Sequence, residues 1–102
     1  EGWAAGAFGT LLHYTDGRWR SVKGPVEKHL LDIHFCSPER GWIVGASGVI
    51  LAFDSGRWRE MDSPSQRALY AVTADCDGNL WVAGKGGKIF KRKKASVKNK
   101  GS

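Results

Sequence analysis

Apolar residues fall in short runs of four to seven positions separated by Gly, Asp, Ser or Pro, a spacing of strands and tight turns rather than of helices. The stretch from Leu30 to Ser63 reads most clearly. Leu31, Ile33 and Phe35 alternate with Asp32 and His34, the period of a half-buried strand, and Ser37-Pro38-Glu39-Arg40 makes a turn. Gly41 to Ala46 follows, and its unbroken apolar run Trp42-Ile43-Val44 predicts a central strand covered on both faces. Gly45-Ala46-Ser47-Gly48 reverses the chain into Val49 to Phe53, and Asp54-Ser55-Gly56 reverses it again into Arg57 to Met61. The expected unit is a four-stranded antiparallel meander.

The same unit occurs three times. Residues 2–22 recur 39 residues later as 41–61, and Trp3, Trp42 and Trp81 share one offset with Gly6, Gly45 and Gly84. The first copy supplies strands at Trp3 to Ala5, Thr10 to Tyr14 and Arg18 to Val22, and lacks the first strand of the unit. The third supplies Leu69 to Ala74, Leu80 to Ala83 and Lys88 to Lys91, and lacks the fourth. A Gly/Trp signature with a period near 40 residues predicts an all-β fold of tandem β-propeller blades, here three partial ones. The expected organisation is a partial propeller over 1–94 (blade parts 2–22, 30–63 and 68–94) and a basic flexible tail over 95–102. Three stacked blades leave two open apolar faces, so self-assembly into a ring is expected, most simply as a two-fold dimer. Two chains head to tail would give six blades, whereas pooling their strands into complete blades would give five. Six is preferred because each partial blade already has its own central strand.

The pattern Gly-Trp-x-Val-Gly-x-x-Gly-x-Ile followed by Asp/Ser-Gly-x-Trp, best at 41–58 and nearly as good at 2–19, resembles the repeats of the photosystem II stability and assembly factor family and of bacterial neuraminidases. Asp75-Cys76-Asp77-Gly78-Asn79-Leu80-Trp81-Val82-Ala83-Gly84 is also similar to blades of two-component regulator propellers. These resemblances imply the blade fold and leave the ligand open, because such families include assembly factors, sensors and glycan-processing enzymes. Thr15-Asp16-Gly17-Arg18-Trp19 and Phe53-Asp54-Ser55-Gly56-Arg57-Trp58 resemble degenerate Asp-box turns of sialidases, whose role is structural. Sialidase chemistry needs an arginine cluster and a tyrosine nucleophile with an acidic partner, and neither Tyr14 nor Tyr70 has that setting in the sequence.

Charge changes this picture only at one end. The net charge of +6 divides into eight Lys/Arg against ten Asp/Glu over 1–84, and eight Lys/Arg with no acid over 85–102. The block Lys91-Arg92-Lys93-Lys94 reads as solvated, and with a slightly acidic body and no stacking platform the sequence disfavours nucleic acid. No apolar stretch approaches the roughly 18 residues of a membrane helix. Glu1-Gly2-Trp3 has neither an initiator Met nor signal-peptide regions, so the start is processed, trimmed or internal to a longer frame. Cys36 and Cys76 lie one residue off the repeat period and outside any Cys-x-x-Cys pair, which predicts free thiols and favours a reducing, cytoplasmic compartment.

Candidate binding groups sit where propeller loops gather. His29 and Arg67 lie between copies, Lys85 in the third glycine turn, and Asp32 and His34 on a first strand facing a central channel. The glycine turns at 6–9, 45–48 and 84–87 are candidate anion nests. Trp3, Trp42, Trp81, Trp19 and Trp58, with Gly6, Gly45 and Gly84, are read as structural positions of the repeat; the flanking arginines form a basic rim suited to carboxylate or phosphate. The histidines lack ligand spacing, so neither metal nor cofactor is expected, and no nucleophile, base and orienting group come together as in an enzyme. The expected function is a non-enzymatic, oligomeric binding or scaffold module acting through one ring face on a protein or peptide. A multivalent, lectin-like carbohydrate-binding propeller is the alternative.

Overall fold

The computed structural model describes residues 2–54, 56–75 and 77–93, with the backbone alone at Lys93; the expected tail at 95–102 and Cys76 lie outside them. Ten strands follow one another as β1 (Gly2–Ala5), β2 (Leu11–Thr15), β3 (Arg18–Val22), β4 (Leu30–Ser37), β5 (Arg40–Gly45), β6 (Ile50–Asp54), β7 (Arg57–Met61), β8 (Leu69–Ala74), β9 (Asn79–Gly84) and β10 (Ile89–Lys93). They form three antiparallel sheets, β1-β2-β3, β4-β5-β6-β7 and β8-β9-β10, each a meander in chain order. No α-helix occurs among the described residues.

The repeat in the sequence is a repeat in register. Trp3 pairs with His13, Trp42 with Ala52 and Trp81 with Lys91, each 39 residues on from the last. Tyr14 opposes Trp19 as Phe53 opposes Trp58, with ring centroids 5.2 and 5.1 Å apart. Even the irregularities recur: β4 shifts register between Leu30 and Asp32, and β8 between Leu69 and Ala71. The bulge throws Leu31 and Tyr70 outward, so of the expected alternation Ile33 and Phe35 stay on one face while Leu31 drops out of it.

The three sheets stack through the middle one. Because successive side chains on a strand point to opposite faces, Ile43 and Leu51 meet the first sheet around Leu11, whereas Trp42, Val44 and Ile50 meet the third around Leu69, Val72, Leu80 and Val82. Ile43, Val44 and Leu51 are fully buried, as an apolar run on a central strand requires. Trp3 carries the first junction, stacking on His13 at 4.1 Å and lying 5.2 Å from Phe53 and 5.6 Å from Trp58.

The outer faces of the stack expose apolar side chains. On the first sheet Tyr14 is 38% and Trp19 51% exposed, and on the third Ile89 is 73% exposed.

Each segment that leaves one sheet for the next crosses the glycine turn of the sheet it leaves. A Cβ on Gly9 would land on the Val26 carbonyl and one on Gly48 on the Ser65 carbonyl; both glycines have φ of +79°. At the third turn Gly87 has φ of +78° and no atom of the described residues within 4 Å of its Cβ position.

First strands sit side by side across the second junction, and their partners are 40 residues apart. Asp32 Oδ2 accepts the Val72 N–H at 2.9 Å, and His34 Nε2–H donates to the Ala74 carbonyl at 3.0 Å. Cys36 comes next on the same face and is disulfide-bonded, which overturns the expectation of free thiols. Cys76 is the only other cysteine of the sequence, again 40 residues on. Repeat equivalents lie 39 residues apart and junction neighbours one further, so the one-residue slip that argued against a pair is the spacing that a pair needs. With the bond, the thiol-based preference for a reducing compartment falls. No helix among the described residues is long and apolar enough to cross a membrane.

Candidate binding site

The polar groups singled out in the sequence divide among three places. His29 is exposed at the first junction, where its Nδ1 accepts the Phe8 N–H at 3.3 Å and its ring lies 4.6 Å from that of Phe8. Arg67 and Lys85 come to the second junction, where the Lys85 N–H donates to the Ala68 carbonyl at 3.0 Å and the Arg67 N–H to Ser65 Oγ at 3.0 Å. Asp32 and His34 lie between the first strands of the middle and third sheets, bonded to β8 as described.

The glycine turns direct several amides inward. Gly45 N–H donates to the Val49 carbonyl at 3.1 Å and Ala46 N–H to that of His29 at 2.8 Å, and the third turn repeats this with Gly84 to Lys88 and Lys85 to Ala68. Those amides hold the turn closed and tie it to the incoming chain. They are spent before an anion arrives.

A different cluster forms at the opposite end of the sheets. Arg40 at the start of β5, Arg59 on β7 and Arg92 on β10 line an open cleft of about 530 Å³ between the middle and third sheets, with Trp42, Met61 and Leu80 as apolar wall and Asp54 at its edge. The Arg40 guanidinium sits 5.7 Å from the centroid of the Trp42 ring, and Arg92 Nη1 reaches the Asp62 carbonyl at 3.5 Å. Three cations beside an indole face suit a carboxylate carried next to an apolar group. Arg59 belonged to the basic rim expected from the sequence. Arg40 and Arg92 did not, because they occupy positions that the repeat fills differently: Arg92 corresponds to Tyr14 and Phe53, and Arg40 to Glu1 and Asn79.

A second cleft of about 480 Å³ adjoins the first along β10, lined on its apolar side by Ile50, Leu80, Val82 and Phe90. The block read as solvated from Lys91 onward thus begins inside a strand: Lys91, Arg92 and Lys93 pair with Trp81, Leu80 and Asn79. Lys91 Nζ lies 5.4 Å from the centroid of the Trp81 ring.

Below the cleft, Asp75 closes the turn into β9. Its Oδ1 accepts the N–H groups of Asp77 and Asn79, and its Oδ2 the Asn79 side-chain amide at 2.9 Å. The side-chain bond from Asn79, followed by its backbone bond, holds the Asp75 carboxyl below the ordinary carboxylate value. Among the described residues no three His, Cys, Asp or Glu side chains gather as metal ligands would. The chain matches no family model, no curated protein and no solved structure.

Proposed function

We propose that the chain is a non-enzymatic β-propeller module that closes a ring with a second copy and binds a protein or peptide. The observation that carries this is that the two halves of one sheet-to-sheet joint recur on the two open faces. Trp3 of the first sheet meets Phe53 and Trp58 of the middle sheet. Trp81, two repeats on from Trp3, stands on the outer face of the third sheet beside Ile89, while Tyr14 and Trp19, the counterparts of Phe53 and Trp58, stand exposed on the outer face of the first. One open face therefore repeats the giving side of an internal joint and the other the receiving side. Head-to-tail contact between two copies would bury both and place six sheets around one axis. The likeness of the repeats to propeller blades supports the same arrangement.

Electron-microscopic class averages test the architecture. The proposal expects closed rings of six radial sheets, or five if partial sheets merge; open stacks of three would refute it. The exposed Tyr14–Trp19 pair favours the second reading, a lectin-like module, since an open aromatic face can stack on a sugar ring. A glycan array read with intrinsic Trp fluorescence separates the two readings: saturable sugar binding supports the lectin, and its absence beside peptide binding supports the scaffold.

A further inference from the structure

Strand β10 pairs with β9 on one side and with no described strand on the other. Its counterparts β2 and β6 are each covered along five residues by β3 and β7. Among the described residues this edge presents unpaired backbone donors and acceptors, a template for an added strand. Charge says which strand. In the middle sheet Ala52, Phe53 and Asp54 oppose Arg59, Trp58 and Arg57, and in the first His13, Tyr14 and Thr15 oppose Arg20, Trp19 and Arg18. The corresponding positions of β10 are Lys91, Arg92 and Lys93. An Arg-Trp-Arg strand from a second copy would set arginines directly opposite Lys91 and Lys93, and like charges so placed destabilise a pair. Residues 94–102 carry Lys94, Lys98 and Lys100 and no acid, so their sequence offers no carboxylate to pair with Lys91 or Lys93. The pair Asp54–Arg57 shows the opposite-charge version of the contact within the same fold.

We propose that the β10 edge takes an extended acidic peptide as a fourth strand, with carboxylates opposite Lys91 and Lys93 and a large apolar side chain between them, opposite Arg92. That central side chain would face the middle sheet as Trp58 faces the first, entering the cleft floored by Leu80, Val82 and Phe90 beside the three arginines. The ligand is in effect the chain's own outer strand with its charges reversed, Glu-Trp-Glu in place of Arg-Trp-Arg. The inference deepens the peptide-binding part of the proposed function and does not depend on ring closure.

The test uses two labelled, end-capped peptides of about ten residues, one centred on Glu-Trp-Glu and one on Arg-Trp-Arg, titrated by fluorescence anisotropy at about 50 mM salt, where surface charge is least screened. The acidic peptide is expected to bind at least tenfold more tightly, to lose that advantage as salt rises, and to slow hydrogen exchange at Ile89 to Arg92. Lys91→Glu should cost the acidic peptide about tenfold and favour the basic one. Lys91→Gln, with near-UV circular dichroism unchanged, should cost about threefold and guards against misfolding of the first variant. Equal binding of both peptides, no binding by folded protein, or protection gained away from β10 would each overturn the inference, as would loss of binding on deleting residues 94–102. A monomer that binds the acidic peptide refutes the ring and upholds this site; a dimer that binds neither peptide does the reverse.

Discussion

Gly48 and Gly87 occupy the same place in successive repeats with almost the same φ, +79° and +78°, yet among the described residues a chain crosses Gly48 and none crosses Gly87. Replacing each by alanine separates two costs that usually come together. A left-handed residue bearing a Cβ costs roughly 1–2 kcal/mol, and the less flexible unfolded chain returns about 0.4–1 kcal/mol. Gly87→Ala should therefore lose about 1 kcal/mol. At Gly48 the new methyl would fall on the Ser65 carbonyl, so the turn or the Ser63–Arg67 segment must move. The Ser63 Oγ–H to Ser65 carbonyl and Arg67 N–H to Ser65 Oγ hydrogen bonds resist that shift. Losing one such bond and loosening the packing beneath adds about 2 kcal/mol, for a total of about 3 kcal/mol. In urea melts followed by Trp fluorescence, Gly48→Ala should fall short of the parent by about 2 kcal/mol more than Gly87→Ala does. Equal losses at the two positions would refute the crossing-chain argument.

Three further outcomes follow from the second junction and the turn beside it. Cys36→Ser opens a loop of 40 residues by sequence, worth about 4 kcal/mol in the chain-entropy account; calorimetry should show a fall in Tm of about 15 °C or more, and an unchanged Tm under reductant would contradict it. Asp32→Ala leaves the Val72 N–H without its partner and should cost about 1–3 kcal/mol in a urea melt, while Asp32→Asn, which keeps an acceptor oxygen, should cost under half as much. The lowered Asp75 pKa means that its contribution to stability is present above the unfolded carboxylate value, about 3.9, and is lost as pH falls through the folded value. The urea midpoint of the parent should therefore drop more between pH 5 and about pH 2.5 than that of Asp75→Asn; identical drops would contradict the assignment.

The strands were legible because period-two alternation and glycine turns are local, and three copies at one spacing tie the register of each hairpin to the others. Trp42-Ile43-Val44 announced a strand buried on both sides for the same reason. What crosses a junction was not legible. Cys36 looked out of step because it was compared with its repeat equivalent, whereas packed first strands bring residue 32 to 72 and 34 to 74. The bulge at Leu31 also escaped notice, since an extra residue leaves the apolar count intact while turning one side chain outward. The arginine cleft drew no signal because Arg40 and Arg92 are departures from the repeat, and a site assembled from departures emerges only when sheets are stacked.

The central claim is that the outer faces bearing Tyr14 and Trp19 on one side and Trp81 and Ile89 on the other are covered by a second copy. Static light scattering of the purified chain over a range of concentrations tests it most directly. A mass of twice the 11.2 kDa chain that persists on dilution is the predicted result. A homogeneous 11.2 kDa particle at tens of micromolar, with native circular dichroism, would contradict it.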